Sequence, residues 1–163
     1  MRRDVKIMAN RSRSQVKESR MLPVSQLLAD KTPDVFSLKP SDPVYEAIRL
    51  MAEKAIGALL VMEDGKLIGI ITERDYARKV ILLGRSSRDT PVSAIMTPMP
   101  LYTVSPSSRS RECMRLMTDR RIRHLPVLDG DKVVGMLSIG DLVRHIIQAQ
   151  DNEIAQLTQY ISG

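Results

Sequence analysis

The sequence predicts a mixed α/β fold (α+β in the order of its elements) made of two copies of one β-α-β-β-α unit. Three observations carry this. Residues 35–81 align with residues 101–147 at a constant offset and without a gap, through identical pairs such as Pro40/Pro106, Glu46/Glu112, Arg49/Arg115, Met51/Met117, Gly69/Gly135, Asp75/Asp141 and Arg78/Arg144. Apolar residues in each copy fall at helical spacing, and each copy also holds two apolar runs around an Asp-Gly turn. A repeat of this period is a supersecondary unit that buries its apolar face only against further structure, often a copy of itself.

Each unit opens on a short extended stretch containing a proline, "VFSLKPSDP" in the first and "LYTVSPSSR" in the second. A helix follows, with Val44, Ala47, Ile48, Met51 and Ala55 on one face, matched by Cys113, Met114 and Met117. Methionine at these places fills a core. The hairpins are "ALLVMEDGKLIGII" and "LPVLDGDKVVGML". Closing helices are expected from about Glu73 to Leu83, stopped by Gly84, and from about Ile139 through Ile147. Between the units Pro91 suits the first position of a short helix, and Pro23-Val24-Ser25 echoes Pro91-Val92-Ser93, so the linkers belong to the repeat. The expected organisation is a basic, flexible tail over 1–20, a first domain over 21–84, a second over 85–148 and a helical segment over 149–163.

The strand-to-helix joints, "GIITERDYA" and "GMLSIGDLV", place Thr72 three residues before Asp75 and Ser138 three before Asp141. Both read as capping boxes. Glu or Gln is the usual reciprocal partner; the shorter Asp is expected to stay freer to face outward. A carboxylate there can accept two hydrogen bonds from a vicinal diol, as acids do for the ribose in dinucleotide sites. Phosphate must then meet a basic group elsewhere, for which Arg123 and His124 stand ready in the second copy. Their equivalents in the first copy are Gly57 and Ala58, whereas the first copy has Arg74 where the second has Gly140. Arg74 offers phosphate charge to the first joint, and Gly140 leaves room beside the second for a longer ligand such as NAD(H).

With these motifs in place, residues from about 23 to 148 resemble a tandem pair of CBS domains, a Bateman module. The residues that carry the likeness are "GIITERD", "GMLSIGD", "RHLPVLD" and "PVSAIMT". The chain also resembles small stand-alone bacterial CBS-pair proteins, particularly in "ERDYARKVILLGRSSRDTPV" and "RHLPVLDGDKVVGMLSIGDLV", which implies no attached catalytic domain. The resemblance further implies two units packed sheet to sheet about a pseudo-twofold axis, with clefts that take an adenosine-containing ligand: AMP, ATP or NAD(H). It implies that Asp75 and Asp141 hold ribose hydroxyls, that Thr72 and Ser138 contact ribose or phosphate, and that Ile70 and Met136 lie against the adenine. Ala47 would approach the ligand of the opposite unit, and Arg123 and His124 would meet phosphates. A homodimer and a regulated protein partner are also implied.

Composition narrows the alternatives. The single cysteine excludes an intrachain disulfide and a multi-cysteine metal site, so cytoplasm is the expected location. No stretch approaches the roughly 18 consecutive apolar residues of a membrane-spanning helix. The net charge of +6 comes mostly from Arg2, Arg3, Lys6, Arg11, Arg13, Lys17 and Arg20, and with no Trp and one Phe to stack on bases, nucleic acid is not an expected partner. Cys113 sits on an apolar helix face, nothing marks His145 as its base, and no phosphate loop or metal-ligand cluster is present in the sequence. The expectation is a non-catalytic, ligand-sensing regulatory module without a catalytic cofactor. The other reading is an interaction scaffold with vestigial sites that binds through the basic tail or the stripe Ile154, Leu157 and Ile161.

Overall fold

The computed structural model describes residues 21–31 and 34–163, so the basic tail falls outside the described residues. In the first copy, strand β1 (Ser37–Leu38) is followed by helix α2 (Val44–Lys54), strand β2 (Ala58–Glu63) and strand β3 (Lys66–Thr72). Helix α3 (Glu73–Tyr76) continues as a π-turn over Ala77–Ile81. A 3₁₀ turn (Val92–Ala94) and strand β4 (Thr97–Pro98) complete it, and helix α1 (Val24–Ala29) precedes it in the chain. The second copy holds α4 (Ser110–Arg120), β5 (His124–Asp129), β6 (Lys132–Ser138) and α5 (Ile139–Ser162).

The first sheet has the order β1-β2-β3-β4, with β1 parallel to β2 and the other pairs antiparallel. In the second, β5 and β6 pair, and Val104 bridges Val127 in parallel just as Leu38 lies beside Val61. The β2–β3 turn places Asp64 and Gly65 at φ of 49° and 75°, the two consecutive positive values that a tight hairpin turn of this hand requires. Helices α2 and α4 end alike. Ala55 and Arg121 turn left-handed, and the next N–H, of Ile56 or Ile122, donates back to Met51 or Met117 across 3.0 Å.

Contacts divide the chain into two compact bodies, one of residues 34–103 with 128–135, the other of residues 21–31, 104–127 and 136–163. The core of the first is Val44, Ala47, Met51, Leu59, Val61, Ile71, Val80, Val92 and Ile95. That of the second is Val24, Leu27, Cys113, Met117, Leu125, Val127, Leu137 and Leu142. Met51, Met117 and Cys113 are thus core residues, as helical spacing predicts, while Met114 is half-buried against the second core. Segment 21–31 precedes the first copy in sequence but packs elsewhere. Its Val24 packs among second-copy residues, with backbone bonds from Val24 to Ser108 and from Ser25 to Pro106, each 2.9 Å.

Two further differences have local causes. Pro91 and Pro23 stand one residue before their helical segments, in extended conformation, rather than at the first helical position. The last helix runs unbroken from Ile139 to Ser162, with no boundary near residue 149. Gly84 adopts φ of +63° and ends the first closing helix, whereas its repeat equivalent is Gln150, which can continue a helix.

Candidate functional site

Each joint is built where an edge of the hairpin hands over to a helix. In the second body, Ile139 donates its N–H to the carbonyl of Arg123 at 2.8 Å, fixing the start of α5 beside the start of β5. The equivalent bond in the first body runs from Glu73 to Gly57 at 3.1 Å. Both capping boxes form. Asp141 donates its N–H to Ser138 Oγ (3.2 Å), and Ser138 donates its own to Asp141 Oδ2 (2.8 Å). Asp75 and Thr72 do the same at 3.2 and 3.0 Å, and the Thr72 hydroxyl also donates to Asp75 Oδ2 at 3.0 Å. The shorter acid therefore reaches back after all, which corrects the expectation that it faces freely outward. One carboxylate oxygen closes each box, and only Oδ1 is left outside it.

Both acids also carry a lysine that the motif does not contain. Lys31 Nζ lies 2.7 Å from Asp141 Oδ2 and donates to the Met136 carbonyl at 2.9 Å. Lys79 Nζ lies 3.1 Å from Asp75 Oδ1 and donates to the Ile95 carbonyl at 2.8 Å. Lys79 stands one helical turn from Asp75, so spacing alone marks it. Lys31 follows α1, far from Asp141 in sequence, and no local signal could have found it.

Burial by itself would raise the Asp141 carboxyl. The hydrogen bond from Lys31, those from Ser138 and the Lys31 charge outweigh it and hold the group below its ordinary value. His124 is pushed down by burial first, then by the charge of Lys31 and of Arg123, against the pull of Asp141. Lys31, Arg123, His124, Ser138, Asp141 and, through its carbonyl, Met136 thus belong to one constellation in the second body. Arg144 stands at its edge, 3.9 Å from Asp141 Oδ1.

The first body gathers Thr72 and Asp75, with Arg74 exposed beside them. Ile70 is buried and paired with Leu60 on β2 and Thr97 on β4. Ala47 is fully enclosed in the core of its own body. A side chain at Gly140 would meet only Ser138 Oγ, at an ordinary 3.6 Å.

Chemically the joints offer an ionised acceptor, neighbouring cations and carbonyl acceptors, a set suited to binding hydroxyl groups. Cys113 is buried, and burial together with the charge of Glu112 pushes its thiol up to about 11, so it carries no thiolate at neutral pH. Among the described residues no group of three or more His, Cys, Asp or Glu could hold a metal ion, and no helix is long and apolar enough to cross a membrane.

Comparison with known proteins accounts for the repeat. The CBS-domain profile matches residues 24–81 and again 92–148. The mitochondrial CBS-domain protein CBSX3 of Arabidopsis thaliana is 47% identical over 126 residues, which cover 75% of this chain but only 61% of that protein. The CBS-domain protein YhcV of Bacillus subtilis is 34% identical over 76% of this chain and 85% of its own length. Among solved structures, a Burkholderia ambifaria protein with CBS domains, proposed to act in signal transduction, superposes with a TM-score of 0.75 and 52% identity over 78% of this chain and 95% of its own. The CBS-domain protein ATU1752 of Agrobacterium tumefaciens superposes at 0.71 with 35% identity, covering 76% and 92%. Two matched segments, related by the gapless repeat and each closed by a hydroxyl-acid capping box, make this chain a member of the CBS-domain family, carrying a tandem pair of CBS domains.

Proposed function

We propose that this CBS pair is a regulatory module that binds an adenosine-containing ligand, AMP, ATP or NAD(H), at its two joints. Occupancy is passed on through the packing of a homodimer or to a regulated partner protein. The observation that carries the reading is the constellation of Asp141, Ser138, Arg123 and His124, in which an ionised acid for a diol shares a joint with the Arg123 cation for a phosphate and with His124, held neutral by its burial, as a hydrogen-bonding imidazole. Asp75 and Thr72 repeat the acid and hydroxyl, with Arg74 as the cation. Ile70, Met136 and Ala47 are assigned to the ligand by family likeness alone. The module performs no catalysis in this reading, and its location is the reducing cytoplasm, on the ground of a single buried cysteine.

The direct test is calorimetric titration of the full chain with AMP, ATP, NADH and adenosine. Saturable binding weakened by Asp141→Asn supports the proposal. An absence of heat with all four ligands would leave the capping box as the acid's whole role. The scaffold reading draws on a different feature, the exposed Ile154, Leu157, Tyr160 and Ile161 of α5, and predicts that no nucleotide binds.

A further inference from the structure

We infer that Lys31 is an internal occupant of the second joint, holding the acceptors that a ribose diol would take, so that a ligand binds there only by displacing it. This rests on the ribose reading above and adds a competitor to it. The Lys31 ammonium spans two acceptors, Asp141 Oδ2 at 2.7 Å and the Met136 carbonyl at 2.9 Å. A diol also presents two donors, and Asp141 Oδ2 already accepts the Ser138 N–H, so ammonium and diol compete for the same lone pairs. The Lys31 side chain keeps 30% of its surface in water against 8% for Asp141. It therefore has a way out that requires no unfolding.

The first joint is built otherwise. There the carbonyl equivalent to that of Met136 belongs to Ile70, which lies in the ladder beside Thr97 of β4. Lys79 reaches Asp75 through Oδ1 and anchors on Ile95 instead. Lys79 therefore spans no pair of acceptors between acid and strand, and it comes from the acid's own helix. Lys31 comes from the end of segment 21–31, whose Val24 and Leu27 stay in the second core. Displacing it frees the end of that segment, Asp30 and Lys31, while helix α1, with Leu28 also against the second core, remains anchored.

A site that is competent only while its occupant is away loses affinity by the competent fraction, so an ammonium docked nine-tenths of the time weakens binding about tenfold. The test uses adenosine, which carries no phosphate to attract a displaced lysine, on the full chain in an Asp75→Asn background that confines ribose binding to the second joint. Lys31→Ala and Lys31→Gln should each tighten adenosine by about tenfold. Amine acylation of Lys31, read by mass spectrometry against exposed Lys66, should accelerate when adenosine saturates the site. Binding seen only in the Lys31 variants would support the inference as well. Adenosine affinity unchanged or weaker in both variants, or slower labelling of Lys31, would overturn the latch and leave the ribose site standing. Failure of every variant to bind adenosine, AMP, ATP or NADH would overturn both.

Discussion

Asp75 and Lys79 lie one turn apart on a single helix, Oδ1 to Nζ 3.1 Å, whereas Asp141 takes its lysine from beyond its own repeat. Two acids equivalent in sequence are thus neutralised by different means. The Lys79 side chain is 42% exposed, and such a pair contributes a few tenths of a kcal/mol. The Asp141 carboxylate is nearly enclosed, so losing its closest cation leaves it only the Ser138 N–H and Arg144 at 3.9 Å. Lys31→Ala should lower unfolding stability by about 1–2 kcal/mol and Lys79→Ala by less than about 0.5 kcal/mol. Urea titrations of the two variants check the difference, and equal losses would contradict it.

The same enclosure sets a pH dependence. Because the folded Asp141 carboxyl lies below its ordinary 3.8, the unfolded chain takes up this proton first as pH falls. Its contribution is fully present above that value and is lost as pH falls through the lowered folded value. Asp141→Asn should therefore cost about 1–3 kcal/mol at neutral pH, and the gap to wild type should close well below 3.8. His124 acts in the same direction higher up, since its folded value lies below the ordinary 6.5 and stability declines as pH falls beneath that point. His124→Gln should remove that upper step and keep the lower one. Unfolding curves across the acid range separate the two.

Much of this was legible because its causes are local. The Asp64-Gly65 turn, the helical faces of Met51 and Met117 and both hydroxyl-acid boxes follow from spacing within a few residues. The start of α5 at Ile139 was also legible, whereas its unbroken run past residue 149 was not read, although the contrast between Gly84 and Gln150 carries it. The place of Val24 was not, because the Pro-Val-Ser echo marks a repeated linker without saying which copy receives it. Lys31 escaped for the same reason. By the Pro-Val-Ser echo its counterpart is Met99, which has no charge, so comparing the copies hides it.

A close backbone approach gives a prediction on packing. A Cβ added at Gly69 would lie 2.7 Å from Met96 Sδ and 2.8 Å from the Thr97 carbonyl oxygen. The sulfur can move, but the carbonyl belongs to the β4 backbone that pairs with β3. Gly69→Ala should therefore destabilise by about 1–3 kcal/mol. Gly140→Ala, in the first turn of α5 and 3.6 Å from its nearest neighbour, should be neutral or stabilise by up to about 1 kcal/mol. Thermal midpoints that move in opposite directions, or only for Gly69, fit the geometry. A destabilised Gly140→Ala would not.

The exposed face of α5 bears on assembly. Val143, Ile147, Ile154, Leu157 and Ile161 recur at alternating spacings of three and four, interrupted only by Gln150, and all five are exposed. A seam at that period is suited to a second helix of like pattern, and a second copy of this chain supplies one. In such a pairing Gln150 would be the polar position, costing some stability while specifying alignment. Light scattering of the wild type should then report about twice the 18.3 kDa chain mass. Ile154→Lys with Leu157→Lys should return the mass to that of one chain, because each ammonium would have to enter the seam unpaired. Neither residue belongs to the buried cores, so the far-UV spectrum should remain that of a folded protein. A wild type of single-chain mass at micromolar concentration would refute the pairing, and a double variant still of twice that mass would place it on another face.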